Sequence, residues 1–159
     1  MADSRKFRQY TDLFYEVEPK SDKVGDWCAT PYAYLDGELP GAMYNVGFQV
    51  IKKPVEMKME PHFHREEQYH LFVGSKIPDV FDFDAEIEFY MGEDPEDMEK
   101  IVIRKPTIIR VPRGVWHCPL VFKKVNKPVW FQAALLYGTY MAFEKKTDAE
   151  GKTVLVCES

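Results

Sequence analysis

The chain has 159 residues, with 21 Lys and Arg against 26 Asp and Glu and a formal net charge of -5. That length sustains one well-buried domain but not two ordinary ones, and a composition of 45% hydrophobic and 14% aromatic residues predicts a globular core rather than disorder. The acidic balance argues against a nucleic-acid partner, and no stretch approaches the roughly twenty apolar residues of a membrane span, so no membrane association and a cytoplasmic location are expected.

From the N-terminus, Ser4 to Glu18 places Phe7, Tyr10, Leu13 and Phe14 at helical spacing, which predicts a short amphipathic helix. Residues 1–43 read as an N-terminal extension packing on a β-domain formed by 44–143. Over that domain the pattern turns to short β-branched and aromatic runs between Pro, Gly and Asp or Asn. Strands are expected at Tyr44 to Ile51, Val55 to Glu60, Tyr69 to Val73, Glu86 to Met91, Ile101 to Arg104, Thr107 to Val111, Leu120 to Val125 and Val129 to Tyr137. The charged run Glu144 to Lys152 reads as a solvated turn, and Thr153 to Val156 as an edge strand closing residues 144–159. About eight or more short, evenly spaced strands predict an all-β barrel or two-sheet jelly roll, since closure removes exposed edges.

Cys28, Cys118 and Cys157 are odd in number and form no Cys-x-x-Cys pair, so they read as free thiols. Cys118 follows a histidine, yet its simplest reading is a small packed residue.

The histidines are the chemical signal. His62, His64 and His70 lie within nine residues, and the fourth, His117, ends Pro112-Arg113-Gly114-Val115-Trp116-His117. Neutral imidazole binds zinc, iron, nickel and copper, and residues two apart on a strand share a side, so His62 and His64 can address one ion while Phe63 faces away. The Pro-x-Gly turn fixes the backbone before His117. Gln68 follows His64 at a distance that allows a tight turn onto the next strand. Three nitrogens and one oxygen would leave one or two positions open for water or substrate.

At these residues the sequence resembles the cupin superfamily. His62-x-His64, Gly74 and Pro112-x-Gly114-x2-His117 match the two motifs of that family over roughly residues 44 to 137. Glu56 and Pro106 stand where those motifs open with glycine, and Val121 where the second ends in asparagine. Ala85 to Gly92 and His117 to Leu120 further resemble small single-domain bacterial cupins, a subgroup that implies no particular activity. The resemblance implies a double-stranded β-helix, or jelly-roll barrel, with an N-terminal extension, one divalent transition metal (Fe, Mn, Ni or Zn) and a homodimer.

The oxygen ligand has two candidates. Counting from His64 lands on Gln68, and counting back from Gly74 lands on Glu67. Gln68 would bring His70 and Phe72 inward with it, whereas Glu67 would bring Tyr69, Leu71 and Val73. The spacing from the histidine pair favours Gln68, so the expected metal ligands are His62, His64, Gln68 and His117. His70 is a candidate fifth ligand or general base, or else a satisfied barrel histidine. Arg65, Arg110 and Arg113 are candidates to clamp a carboxylate, Trp116 and Tyr69 to line a pocket, and Glu86 and Glu88 to form a solvent face. The expected function is a metal-dependent small-molecule enzyme, a dioxygenase or an isomerase/lyase, acting on an oxygenated or carboxylate-bearing metabolite; the alternative is a non-catalytic ligand-binding cupin.

Overall fold

Period-two alternation of inward apolar and outward polar residues dominates the structure, a computed structural model that describes residues 13–20, 25–29, 33–57 and 60–158. Among these residues twelve strands form: β1 (Ala33–Leu35), β2 (Asn45–Ile51), β3 (Val55–Met57), β4 (His62–Phe63), β5 (Gln68–Gly74), β6 (Ala85–Asp94), β7 (Asp97–Ile103), β8 (Thr107–Val111), β9 (Trp116–Val125), β10 (Val129–Leu135), β11 (Ala142–Thr147) and β12 (Thr153–Glu158). The expected helix lies mostly outside the described residues, and Phe14 to Glu18 has no regular structure.

Two antiparallel sheets face each other as a jelly roll. One runs β1-β2-β10-β5-β8; the other runs β12-β11-β4-β9-β6-β7, with β3 also paired to β9. Part of the N-terminal extension is therefore built into the barrel: β1 pairs with β2, and Trp27 accepts a backbone hydrogen bond from Lys52 at 2.8 Å. At the other end, the solvated turn expected over Glu144 to Lys152 is corrected. Its first half belongs to β11, whose Lys145 and Lys146 point to solvent while Ala142 and Phe143 are buried and Glu144 is half-buried, and only 148–152 turns back into β12. Consecutive charged residues conceal a strand when most of it is exposed.

The core gathers at one end of the barrel. Phe72 and Phe131 stack with centroids 5.1 Å apart, Phe122 meets Phe131 edge-on at 5.9 Å, and Ile51, Ile87, Phe89 and Val129 are fully buried around them. Each such side chain contributes about 1.5–3 kcal/mol by leaving water. Along β5 the inward residues are Gln68, His70, Phe72 and Gly74, so one strand passes from polar cavity to aromatic core. The strand ends against the following loop: a Cβ on Gly74 would lie 2.6 Å from the Asp82 carbonyl oxygen and 3.1 Å from that of Val80. Gly74→Ala is therefore expected to cost about 1–3 kcal/mol through overpacking. A fall in urea midpoint checks this, and an unchanged midpoint would contradict the close approach.

Candidate metal centre

His62 and His117 face each other directly across the β4–β9 pair, which brings their rings to 4.3 Å between centroids. His64 lies one residue beyond β4, 5.0 Å from His62 and 5.1 Å from His117. The expected turn at Pro112 to Gly114 holds it there. Gly114 adopts φ 73, where a Cβ would be strained, and its N–H donates to the His64 carbonyl at 2.8 Å. The segments carrying the two motifs are thereby joined by a backbone hydrogen bond. Gln68 and His70 enter from the opposite sheet on β5.

The hydrogen bonds settle the tautomers. Nδ1 of His62 lies 2.9 Å from the Glu60 carbonyl and Nδ1 of His117 lies 3.1 Å from that of Val115, while Nδ1 of His64 reaches the Met141 carbonyl. A carbonyl only accepts, so each Nδ1 carries the proton and each Nε2 keeps its lone pair. Among the described residues, the buried side-chain nitrogens and oxygens without a hydrogen-bond partner are Nε2 of His62, His64 and His117 and Nδ1 of His70. Each such atom costs about 1–3 kcal/mol of lost hydration. Burial also keeps the rings neutral: it pushes the pKa of His62 down, that of His64 to about 4, and that of His117 well below the usual imidazole range.

Gln68 is buried and Glu67 is not the inward residue. The Glu67 carboxylate accepts from Arg110 and Tyr69 on the outer face, and the Arg110 hydrogen bond foremost lowers its pKa to about 2. Inside, His70 Nε2 lies 2.8 Å from Gln68 Oε1, and desolvation lowers the His70 pKa to about 3.

His62, His70 and His117 line a cavity of about 500 Å³, and His64 is not among its lining residues. Trp27, Met57, Leu120 and Phe131 give it apolar walls, and Gln49, Gln68 and His70 are polar groups turned into it. None of the three candidate arginines lines it: Arg65 lies over the Phe143 ring at 4.5 Å, Arg110 pairs with Glu67, and Arg113 is exposed. Trp116 packs outside the cavity against Phe63, and Tyr69 holds Glu67. Glu86 and Glu88 form the expected solvent face, paired with Arg104 and Lys100.

Sequence reasoning missed Trp27, Gln49 and Tyr140 in this cavity, because long-range strand pairing brings them there. It also missed the placement of Cys118. That residue is buried as expected, but it has φ 75, a backbone conformation that costs a residue with a Cβ about 1–3 kcal/mol. Its thiol lines the cavity, and burial pushes its pKa to about 12.

No sequence-family model matches the chain, and no curated protein sequence matches it. Solved structures do. An oxalate oxidase in complex with glycolate superposes with TM-score 0.50 and 17% identity over 80% of this chain and 61% of its own. A variant of oxalate decarboxylase from Bacillus subtilis gives 0.53 and 12% over 78% of this chain and 30% of its own. Vicilin from Corylus avellana, hazelnut, gives 0.52 and 14% over 81% and 34%. The chain thus spans less than two thirds of each of these proteins, and at such identities the likeness is one of fold.

Proposed function

We propose that this chain, which has the jelly-roll fold of cupin proteins, is a cupin and a metal-dependent enzyme for small oxygenated molecules, holding one divalent transition metal on His62, His64, His117 and Gln68. The observation that carries this reading is a cluster of three buried, neutral imidazoles with ring centroids 4.3–5.1 Å apart, each with an Nε2 that has no hydrogen-bond partner and an Nδ1–H bonded to a backbone carbonyl. A divalent cation bound there polarises an oxygen donor of the substrate and acidifies water.

The rest of the chemistry belongs to the protein. Trp27, Met57, Leu120 and Phe131 take the apolar body of the substrate and exclude water from it. With no lysine or arginine among the described lining residues, the cavity favours an uncharged oxygenated compound over one that relies on a cationic clamp for a carboxylate. His70 holds Gln68 through Nε2 and presents the Nδ1 lone pair as an acceptor for a substrate hydroxyl. Its depressed proton affinity suits accepting a hydrogen bond better than removing a proton at neutral pH. We also propose a homodimer and a cytoplasmic location; no helix among the described residues is long and apolar enough to cross a membrane.

Protein purified without an affinity tag is expected to carry close to one Fe, Mn, Ni or Zn per chain by elemental analysis. Gln68→Ala should weaken metal retention about tenfold or more, whereas Glu67→Ala, which removes only an outer ion pair, should leave it near wild type. The reverse order would show that the oxygen ligand is misassigned. Metabolite turnover with and without dioxygen then separates dioxygenase from isomerase or lyase, and tight binding without consumption would replace the enzyme by a binding protein.

A further inference from the structure

Two consecutive side chains of β9, His117 and Cys118, line the same cavity, where a regular strand would send them to opposite faces. The cause is a bulge. Phe89 pairs with Leu120 but Met91 pairs with His117, so Cys118 and Pro119 together stand opposite Tyr90, and the left-handed φ of Cys118 turns its side chain inward.

We propose that Cys118 is a metal ligand, its sulfur joining the imidazoles of His62 and His117 as the anionic donor of the site. This rests on the metal-site reading and deepens it. One donor atom from each of His62, His117 and Cys118 can be chosen so that all lie within 4.8 Å of one another. Independently, Nε2 of His62 and Nε2 of His117 are buried without partners, in rings only 1% and 0% exposed.

Charge supplies the third reason. Three neutral imidazoles and the neutral Gln68 amide leave a dication uncompensated in a buried site. The neighbouring carboxylate of Glu67 is turned away onto Arg110; Glu56, though at the cavity, is exposed; and Glu144, opposite His62 across the β4–β11 pair, is paired with Lys146 at 3.4 Å, all three lying outside the donor cluster. Cys118 is the group placed to supply the negative charge. On binding, the Sγ–metal bond forms, the thiol proton leaves to solvent, and no oxidation state changes. A thiolate donor favours zinc or iron over manganese, which narrows the identity of the metal.

Cobalt(II) is the probe. Wild-type protein stripped and reloaded with one equivalent should show thiolate-to-cobalt charge-transfer absorption in the near ultraviolet, and cobalt-edge X-ray absorption should show one sulfur at about 2.3 Å. Cys118→Ser and Cys118→Gly, the latter suited to the left-handed backbone, should lose the band while still binding cobalt. Cys28→Ser and Cys157→Ser should keep it. Stoichiometric cobalt with a nitrogen and oxygen shell in the wild type, or a band that survives in either folded Cys118 variant, overturns the proposal and leaves the histidine site standing. Failure of the wild type to retain cobalt overturns both.

Discussion

His117→Ala is expected to lower metal affinity by at least about 100-fold, since replacing a direct ligand should exceed the 10–100-fold loss typical of changes to a ligand's supporting hydrogen bonds. His117 is the junction of the cluster, facing His62 across the strand pair and within 6.1 Å of both His64 and His70 between ring centroids. Its removal leaves two imidazoles without their central partner. The metal-free fold should survive, because the substitution creates a cavity but also removes a buried nitrogen that has no hydrogen bond. His62→Ala should behave alike. Elemental stoichiometry read beside circular dichroism checks the expectation, and wild-type metal content in both folded variants would remove the basis for the site.

Acid is expected to destabilise the metal-free protein steeply, beginning well above the carboxylate range. The sign follows from burial. Each imidazole has a folded-state pKa below its unfolded value of 6.5, so the unfolded chain binds protons first, and stability that is complete above pH 6.5 is lost as the pH falls through that value. His64, lowered to about 4, alone accounts for about 3 kcal/mol between pH 6.5 and 4. His70, lowered to about 3, acts in the same direction and keeps doing so to lower pH. His62 and His117, lowered chiefly by the same burial, act in the same direction, so stability is expected to fall progressively as the pH drops below 6.5. Glu67, lowered to about 2, stabilises the fold above its unfolded pKa of 4.5 and loses that contribution only as the pH falls below 4.5, which separates its effect from that of the histidines. Urea midpoints of the stripped protein from pH 8 to 4.5 would show the decline; a flat profile would mean that the imidazoles are not held neutral and dry. Added zinc should raise the midpoint at neutral pH and lose that effect as protons compete for the same nitrogens.

Much of this molecule is legible in one dimension because a strand has a fixed period. Once the spacing from His64 selects Gln68 as the inward residue, alternation carries His70 and Phe72 inward with it and leaves Glu67 outside, as observed. The Pro112-x-Gly114 turn is legible for the same reason: Gly114 needs φ 73. What escapes the sequence either breaks the period or depends on distant pairing. Cys118 sits on a bulge, which no local pattern announces. Trp27 and Tyr140 come to the cavity from opposite ends of the chain. β11 escapes because the exposed Lys145 and Lys146 mask its pairing with β4, where Phe143 stacks on Phe63 at 5.2 Å between centroids.

That pairing makes the C-terminal hairpin a brace. The two-residue strand bearing His62 has a single register pair with β9 and two with β11, and β11 is itself flanked by β12 along its whole length. The last residues of the chain, far from any ligand in sequence, thus clamp the shortest ligand-bearing strand from its outer edge. Trimming the chain back past Thr147 would leave the aromatic plug intact and slacken the histidine end of the barrel first.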